Sequence, residues 1–139
     1  MSINNVRTML DKRFHVVVIG GGYAGALAAN RLQQNRNIDI TIINPRPTFV
    51  ERVRLHQLVA RSGEATVDLA GILGNRVRLI VDTAARIDVV TRSVALASGG
   101  TVPYDYLIYA VGSIGIVPTK LHGAREFAFP IAQLEQAER

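Results

Sequence analysis

The residues with the clearest capacity for chemistry lie near the N-terminus, in the run Val16-Val17-Val18-Ile19-Gly20-Gly21-Gly22-Tyr23-Ala24-Gly25, with Ala29 four positions further on. The glycines are spaced Gly-x-Gly-x-x-Gly between an apolar run and a helical pattern. Gly20 lets the chain turn sharply out of a strand. Gly22 leaves room for a pyrophosphate against the backbone, and Gly25 with Ala29 keeps the following helix thin where it meets a sheet. The helix start at Tyr23 and Ala24 supplies unpaired N–H groups and a partial positive charge to phosphate oxygens. Strand, turn and helix stand in the order that a dinucleotide site requires.

The elements that must hold this loop can be read outward from it. Phe14–Ile19 is a β-branched run suited to a buried parallel strand. A helix is expected over Tyr23–Gln34, packing through Leu27 and Ala28, then a turn at Asn35–Asn37 and a second strand over Ile38–Ile43. Together these make a right-handed β-α-β unit of about thirty residues. Pro45 and Pro47 stop the strand. Phe49–Arg61 is expected to be partly helical and to end at Ser62-Gly63, with a short helical turn at Leu69–Leu73. Val77, Leu79 and Val81 alternate as a third strand. Thr83–Pro103 reads as a three-stranded β-meander, with strands near Ala84–Val89 and Ser93–Ala97 and a turn at Ser98-Gly99-Gly100. Tyr106–Ala110 is one more buried strand, and a last helix begins near Ile131 with Leu134 and Ala137 on it. Met1–Lys12 is expected to be a polar, frayed lead-in.

Composition narrows the function classes. A chain of 139 residues, 48% hydrophobic and 19% charged, forms one domain at most and can bury a core. The net charge of +5 is carried by single bases such as Arg31, Arg52, Arg61 and Arg92, with no run suited to nucleic acid. Without cysteine there is no disulfide, thiolate nucleophile or cysteine zinc site. His15, His56 and His122 lack metal-ligand spacing. Lys12-Arg13 and the apolar stretch to Ala28 imitate a signal peptide, but the glycine cluster inside argues against a helical signal segment. No run of 18 apolar residues exists to span a membrane.

A second motif completes the pattern. Tyr104-Asp105-Tyr106-Leu107-Ile108, followed by Ala110-x-Gly112, resembles the flavin-side strand of two-dinucleotide-domain flavoproteins, which ends in Ala-Thr-Gly. Taken with the glycine loop, residues 14 to 139 resemble the N-terminal FAD-binding segment of pyridine-nucleotide flavoprotein oxidoreductases, most closely type II NADH dehydrogenases and apoptosis-inducing-factor-like enzymes. The resemblance implies a truncated Rossmann-like α/β domain, with the NAD(P)H-binding and C-terminal domains absent from the chain. It implies FAD as cofactor and NAD(P)H as co-substrate of the intact protein, and a quinone or another acceptor as electron sink. A cytoplasmic protein is expected, peripheral to the inner membrane face when intact. The missing cysteines separate it from the disulfide-reductase branch, whose Cys pair falls around Val53–Leu58.

Carried over residue by residue, the resemblance assigns Gly20, Gly22, Tyr23, Ala24 and Gly25 to the pyrophosphate loop. Ala84 falls where the backbone holds the adenine edge, and Ala110 with Gly112 turns beside the flavin. Asn44 departs from the pattern, because an acidic residue usually grips the ribose there. Arg46 is expected to share that task, and Asn44→Asp is expected to strengthen adenosine binding by about 1 kcal/mol. Arg54 is the candidate phosphate or ribityl contact, with a solvent-facing helix arginine as the alternative, and His56 is assigned to local packing in preference to tuning the flavin. No residue of the segment needs to be catalytic, since the flavin carries the chemistry. A non-catalytic nucleotide-binding or split-protein module is the alternative reading, and a flavin monooxygenase sharing the first loop is a third.

Overall fold

Continuous apolar runs of β-branched residues suit strands that are covered on both faces. Two such runs, Phe14–Ile19 and Ile38–Asn44, form the middle of a four-stranded central sheet. Tyr106–Ala110, expected to be buried, lies at an edge with Tyr106 and Tyr109 exposed. The structure is a computed structural model that describes residues 12–113, 122, 126 and 131–138. Of the expected lead-in at Met1–Lys12, residues 1–11 lie outside the described residues. Strands β1 (Phe14–Ile19), β2 (Ile38–Asn44), β5 (Val77–Val81) and β9 (Tyr106–Tyr109) pair in the order β5-β2-β1-β9. Every pairing is parallel, with Val18 opposite both Ile42 and Ile108, and Ile42 opposite Leu79. β1 is therefore an inner strand, with both edges hydrogen-bonded.

Alternate side chains of the sheet enter two cores. Val16, Val18, Ile40 and Ile42 face the helical side, against Ala26, Ala29, Phe49, Leu69 and Leu73. Val17, Ile19 and Ile43 face the other side, against Val94 and Val102. Those two valines belong to the antiparallel sheet of β6 (Ala84–Asp88), β7 (Ser93–Leu96) and β8 (Thr101–Pro103), which covers that face as the sequence suggests. Gly99 and Gly100 turn β7 into β8 with φ of 98° and 89°, where a side chain would be strained.

Helix α1 (Tyr23–Leu32) lies on the sheet through Gly25, Ala26 and Ala29, a correction to the expected face. Leu27 is 72% exposed and Ala28 only half-buried. A Cβ on Gly25 would land on the carbonyl oxygen of Gly20, so the helix sits too close to β1 for a leucine to enter. The helix also stops at Leu32, two residues before the expected end. The Arg76 guanidinium donates to the carbonyls of Gln33 (2.6 Å) and Arg36 (3.2 Å), holding the chain in its turn towards β2.

The segment after β2 differs from expectation most. Phe49 is central to a three-residue strand, β3 (Thr48–Val50), paired antiparallel with β4 (Thr66–Asp68), where a helix start was expected. Phe49 is buried against the sheet core, and the hairpin carries it there. Helix begins only after a 3₁₀ turn at Arg52–Arg54, as α2 (Leu55–Val59). A further short helix, α3 (Leu69–Ile72), is capped by Asp68, whose carboxylate accepts from the Gly71 N–H at 3.0 Å. The last helix, α4 (Leu134–Ala137), packs through Ala137 and Leu134 on Leu55 and Ala65.

Candidate cofactor site

The chain runs from β1 to β2 to β5 in one direction and then returns to lay β9 on the other flank of β1. This reversal opens a crevice at the carboxyl ends of the strands, where ligands of open α/β sheets bind. A cavity of about 890 Å³ occupies it. That volume falls in the upper part of the roughly 300–1,000 Å³ range of small-molecule and cofactor sites. Its lining includes Gly20, Gly22, Tyr23, Ala24, Asn44, Arg46, Ala84, Ala110 and Gly112.

The glycines divide by the reason each lacks a side chain. Gly20 has φ +102°, and a Cβ there would strike the Ala110 carbonyl; its own N–H donates to the Ile43 carbonyl at 2.9 Å. Gly25 is excluded from bearing a side chain by Gly20, and it supports the site from below, outside the cavity lining. Gly22 is different. Its backbone is extended (φ −78°, ψ −168°), and a Cβ there would meet no atom within 4 Å. Nothing in the chain itself requires glycine at 22. A ligand lying against the backbone would.

Gly22 is also the N-cap of α1, and no acidic residue stands in the helix's first turn. The N–H groups of that turn have no acceptor within the helix and open towards the crevice with a partial positive charge. The Tyr23 ring packs edge-on against Phe49 with centroids 4.9 Å apart, which anchors the helix start to the core. Open space at Gly22, the uncapped helix start and the cavity are the features a pyrophosphate site needs.

Around the rim, the side chains of Asn44, Arg46, Arg52, Asp82 and Glu135 already have hydrogen-bond partners within the chain. Asn44 accepts from the Gly21 N–H at 2.8 Å and donates to the Arg46 carbonyl at 2.7 Å, tying the glycine loop to the end of β2. The Arg46 guanidinium in turn pairs with Glu135 of α4. Asp82, just past β5, receives hydrogen bonds from the Ser98 hydroxyl and, at 2.6 Å, the Thr83 N–H. The Ser98 hydroxyl, more than any other group, holds the Asp82 carboxyl below its ordinary value.

Arg54 is not brought to the cavity, contrary to its assignment from sequence. Its guanidinium donates to Glu51 (2.9 Å) and Gln57 (3.0 Å) on its own turn. The 3₁₀ turn instead aims the residue two positions earlier, so Arg52 lines the cavity and donates to the Ser113 carbonyl at 2.8 Å. His56 is exposed and away from the lining. Sequence reasoning also passed over Asp82 and Glu135. Asp82 had a discoverable signal, its place at the end of the strand beside β2. Glu135 had none, since 89 residues separate it from Arg46.

The sequence profile of the pyridine nucleotide-disulphide oxidoreductase family matches residues 14–139. The chain is 30% identical over 111 residues to mouse ferroptosis suppressor protein 1, covering 78% of this chain and 29% of that protein. To the type II NADH:quinone oxidoreductase of Staphylococcus haemolyticus it is 28% identical over 142 residues, covering 94% and 34%. The crystal structure of the sulfide:quinone oxidoreductase of Aquifex aeolicus superposes with a TM-score of 0.74 at 29% identity, over 90% of this chain and 30% of that one. The chain spans about a third of the length of the relatives it matches. No helix among the described residues is long and apolar enough to cross a membrane. A glycine loop at the strand-order reversal, a β-meander over the opposite face and a profile match along nearly the whole sequence converge: this chain belongs to the pyridine nucleotide-disulphide oxidoreductase family.

Proposed function

We propose that this chain forms the FAD-holding part of an NAD(P)H-dependent flavoprotein that delivers electrons to a quinone. The observation that carries the reading is Gly22, a glycine with no conformational or packing need in the protein itself, at the mouth of a cofactor-sized cavity. In this reading the Gly20–Gly22 loop and the start of α1 at Tyr23 and Ala24 hold the pyrophosphate. Ala84 lines the adenine end, and Ala110 with Gly112 lets the chain pass close to the flavin. Arg52 takes the place assigned from sequence to Arg54, as a cation facing the phosphates or the flavin. When bound, FAD supplies the two-electron chemistry, taking hydride equivalents from NAD(P)H and releasing electrons to the acceptor. The chain's own work is to bind, orient and shield.

Quinone as acceptor is supported by the relatives named type II NADH:quinone oxidoreductase and sulfide-quinone reductase. A protein that meets a quinone works at a membrane surface, and peripheral attachment follows from that proposal. The test is anaerobic titration of the full-length, FAD-loaded protein with NADH and then with a soluble quinone. Loss of the flavin's visible absorbance on the first addition and its return on the second are expected. A flavin that binds but stays oxidised would favour the nucleotide-binding module instead.

A further inference from the structure

The cavity lining contains an acid, paired with Arg46 just beyond β2, that does not come from that strand. Open α/β nucleotide sites ordinarily hold the ribose hydroxyls with a carboxylate about 20 residues beyond the glycine loop. Here that position is Asn44, a neutral amide tied at one end to the Gly21 N–H and at the other to the Arg46 carbonyl. Among the lining residues the carboxylates are Asp82 and Glu135. Asp82 has both oxygens engaged, Oδ1 by the Thr83 N–H and Oδ2 by the Ser98 hydroxyl. Glu135 has one oxygen, Oε1, paired with Arg46 Nη2, and its Oε2 has no partner among the described residues. Its side chain is 58% exposed, so the unpartnered oxygen remains reachable.

We infer that Glu135 supplies the ribose-binding carboxylate that Asn44 lacks, and that Arg46 is the positioning residue that holds it at the cavity rim. The inference rests on the cavity being a dinucleotide site. A vicinal diol presents two O–H donors, and a carboxylate oriented by a guanidinium offers the matching acceptor with charge-assisted strength. The arrangement moves the acid from the strand end to α4, which the Arg46–Glu135 pair already ties to the loop after β2. Arg46 has its Nη2 committed to Glu135, and the carboxylate held beside it repels a 2′-phosphate. The site is therefore selective for a free 2′-hydroxyl, a selectivity that Asn44 by itself would not provide.

The probes are ADP, 2′-deoxy-ADP and 2′-phospho-ADP, which all keep the 5′-pyrophosphate, titrated calorimetrically into the full chain. The wild type is expected to bind ADP about tenfold more tightly than either analogue, the size of one charge-assisted hydrogen bond. Glu135→Gln should reduce that preference to about twofold to threefold, and Arg46→Ala should do the same without touching the carboxylate itself. Asn44→Ala should weaken ADP and 2′-deoxy-ADP in parallel, leaving their ratio unchanged. A purely structural role for Glu135 would lower both ligands together, and an unaltered ratio in Glu135→Gln overturns the inference. So does loss of the ratio in Asn44→Ala, or a wild type that binds ADP without sensing the 2′-hydroxyl. In each of these cases the dinucleotide reading of the cavity survives. If neither ADP nor FAD binds at all, that reading falls and the inference falls with it.

Discussion

Gly22→Ala separates what the fold requires from what a ligand requires. The added methyl would meet no atom within 4 Å, and the backbone there is extended, so no clash or strain opposes it. Alanine is a poorer N-cap than glycine by about 0.5–1 kcal/mol. Removing glycine's freedom from the unfolded chain returns about 0.4–1 kcal/mol. The two terms nearly cancel, so the variant should unfold in denaturant within about 0.5 kcal/mol of the wild type. In the complex the same methyl would occupy the space through which phosphate oxygens reach the first-turn N–H groups. Losing one such charge-assisted contact costs about 1.5–3 kcal/mol, or roughly tenfold to a hundredfold in affinity for FAD or ADP. Gly25→Ala supplies the contrast, because its methyl would fall on the Gly20 carbonyl oxygen and the fold itself must give way. Chemical denaturation and calorimetry on the two variants form the assay. A Gly22→Ala protein that keeps wild-type nucleotide affinity would refute the reasoning, as would one that fails to fold.

Three further outcomes are expected. Asn44→Asp should lower stability by about 1–2 kcal/mol in denaturant titrations, because an oxygen replaces the N–H that now donates to the Arg46 carbonyl at 2.7 Å. The gain in adenosine affinity expected from sequence should be absent, which calorimetry with ADP would register. Arg52→Ala should weaken FAD binding about tenfold, whereas Arg54→Ala should leave it within about twofold, since the Arg54 guanidinium is spent on Glu51 and Gln57; fluorescence titration with FAD distinguishes them. Asp82 has a carboxyl pKa lowered first by the Ser98 hydroxyl, so its ionised form stabilises the fold above the unfolded carboxylate value of about 3.9 and that contribution is lost as pH falls through the lower folded value. Ser98→Ala should therefore lose stability relative to wild type at neutral pH, with the gap closing in strong acid; melting curves across pH read this.

The sheet and the loop were legible because both are written in local sequence. Val16–Ile19 is apolar on both faces of its strand and Ile40–Ile43 is so except at Thr41, and this distinguishes a covered parallel strand from one that alternates with solvent. The glycine spacing marks a turn that only glycine can make at Gly20, with φ +102°. The hairpin of Thr48–Val50 and Thr66–Asp68 was illegible because three-residue strands carry no periodicity, and Phe49 alone fits a helix as readily as a strand. Leu27 misled for a physical reason: hydrophobicity favours burying it, but the approach of α1 to Gly20 leaves room only for Gly25, Ala26 and Ala29. Arg52 and Arg54 are two residues apart on a tight turn, and only the backbone path decides which one faces the cavity. The Arg46–Glu135 pair joins residues far apart in sequence, so nothing local announces it.

The central claim is that a dinucleotide lies across the Gly20–Gly22 loop at the carboxyl ends of β1 and β2. Backbone amide NMR spectra of the isotope-labelled chain, recorded during titration with ADP, test it most directly. The resonances of Gly20, Gly21, Gly22, Tyr23 and Ala24 should move furthest, joined by those of Asn44, Arg46 and Ala84, while those of Val89 and Val90, in the turn between β6 and β7, stay in place. Shifts centred elsewhere on the molecule, or none at saturating ADP, would contradict it.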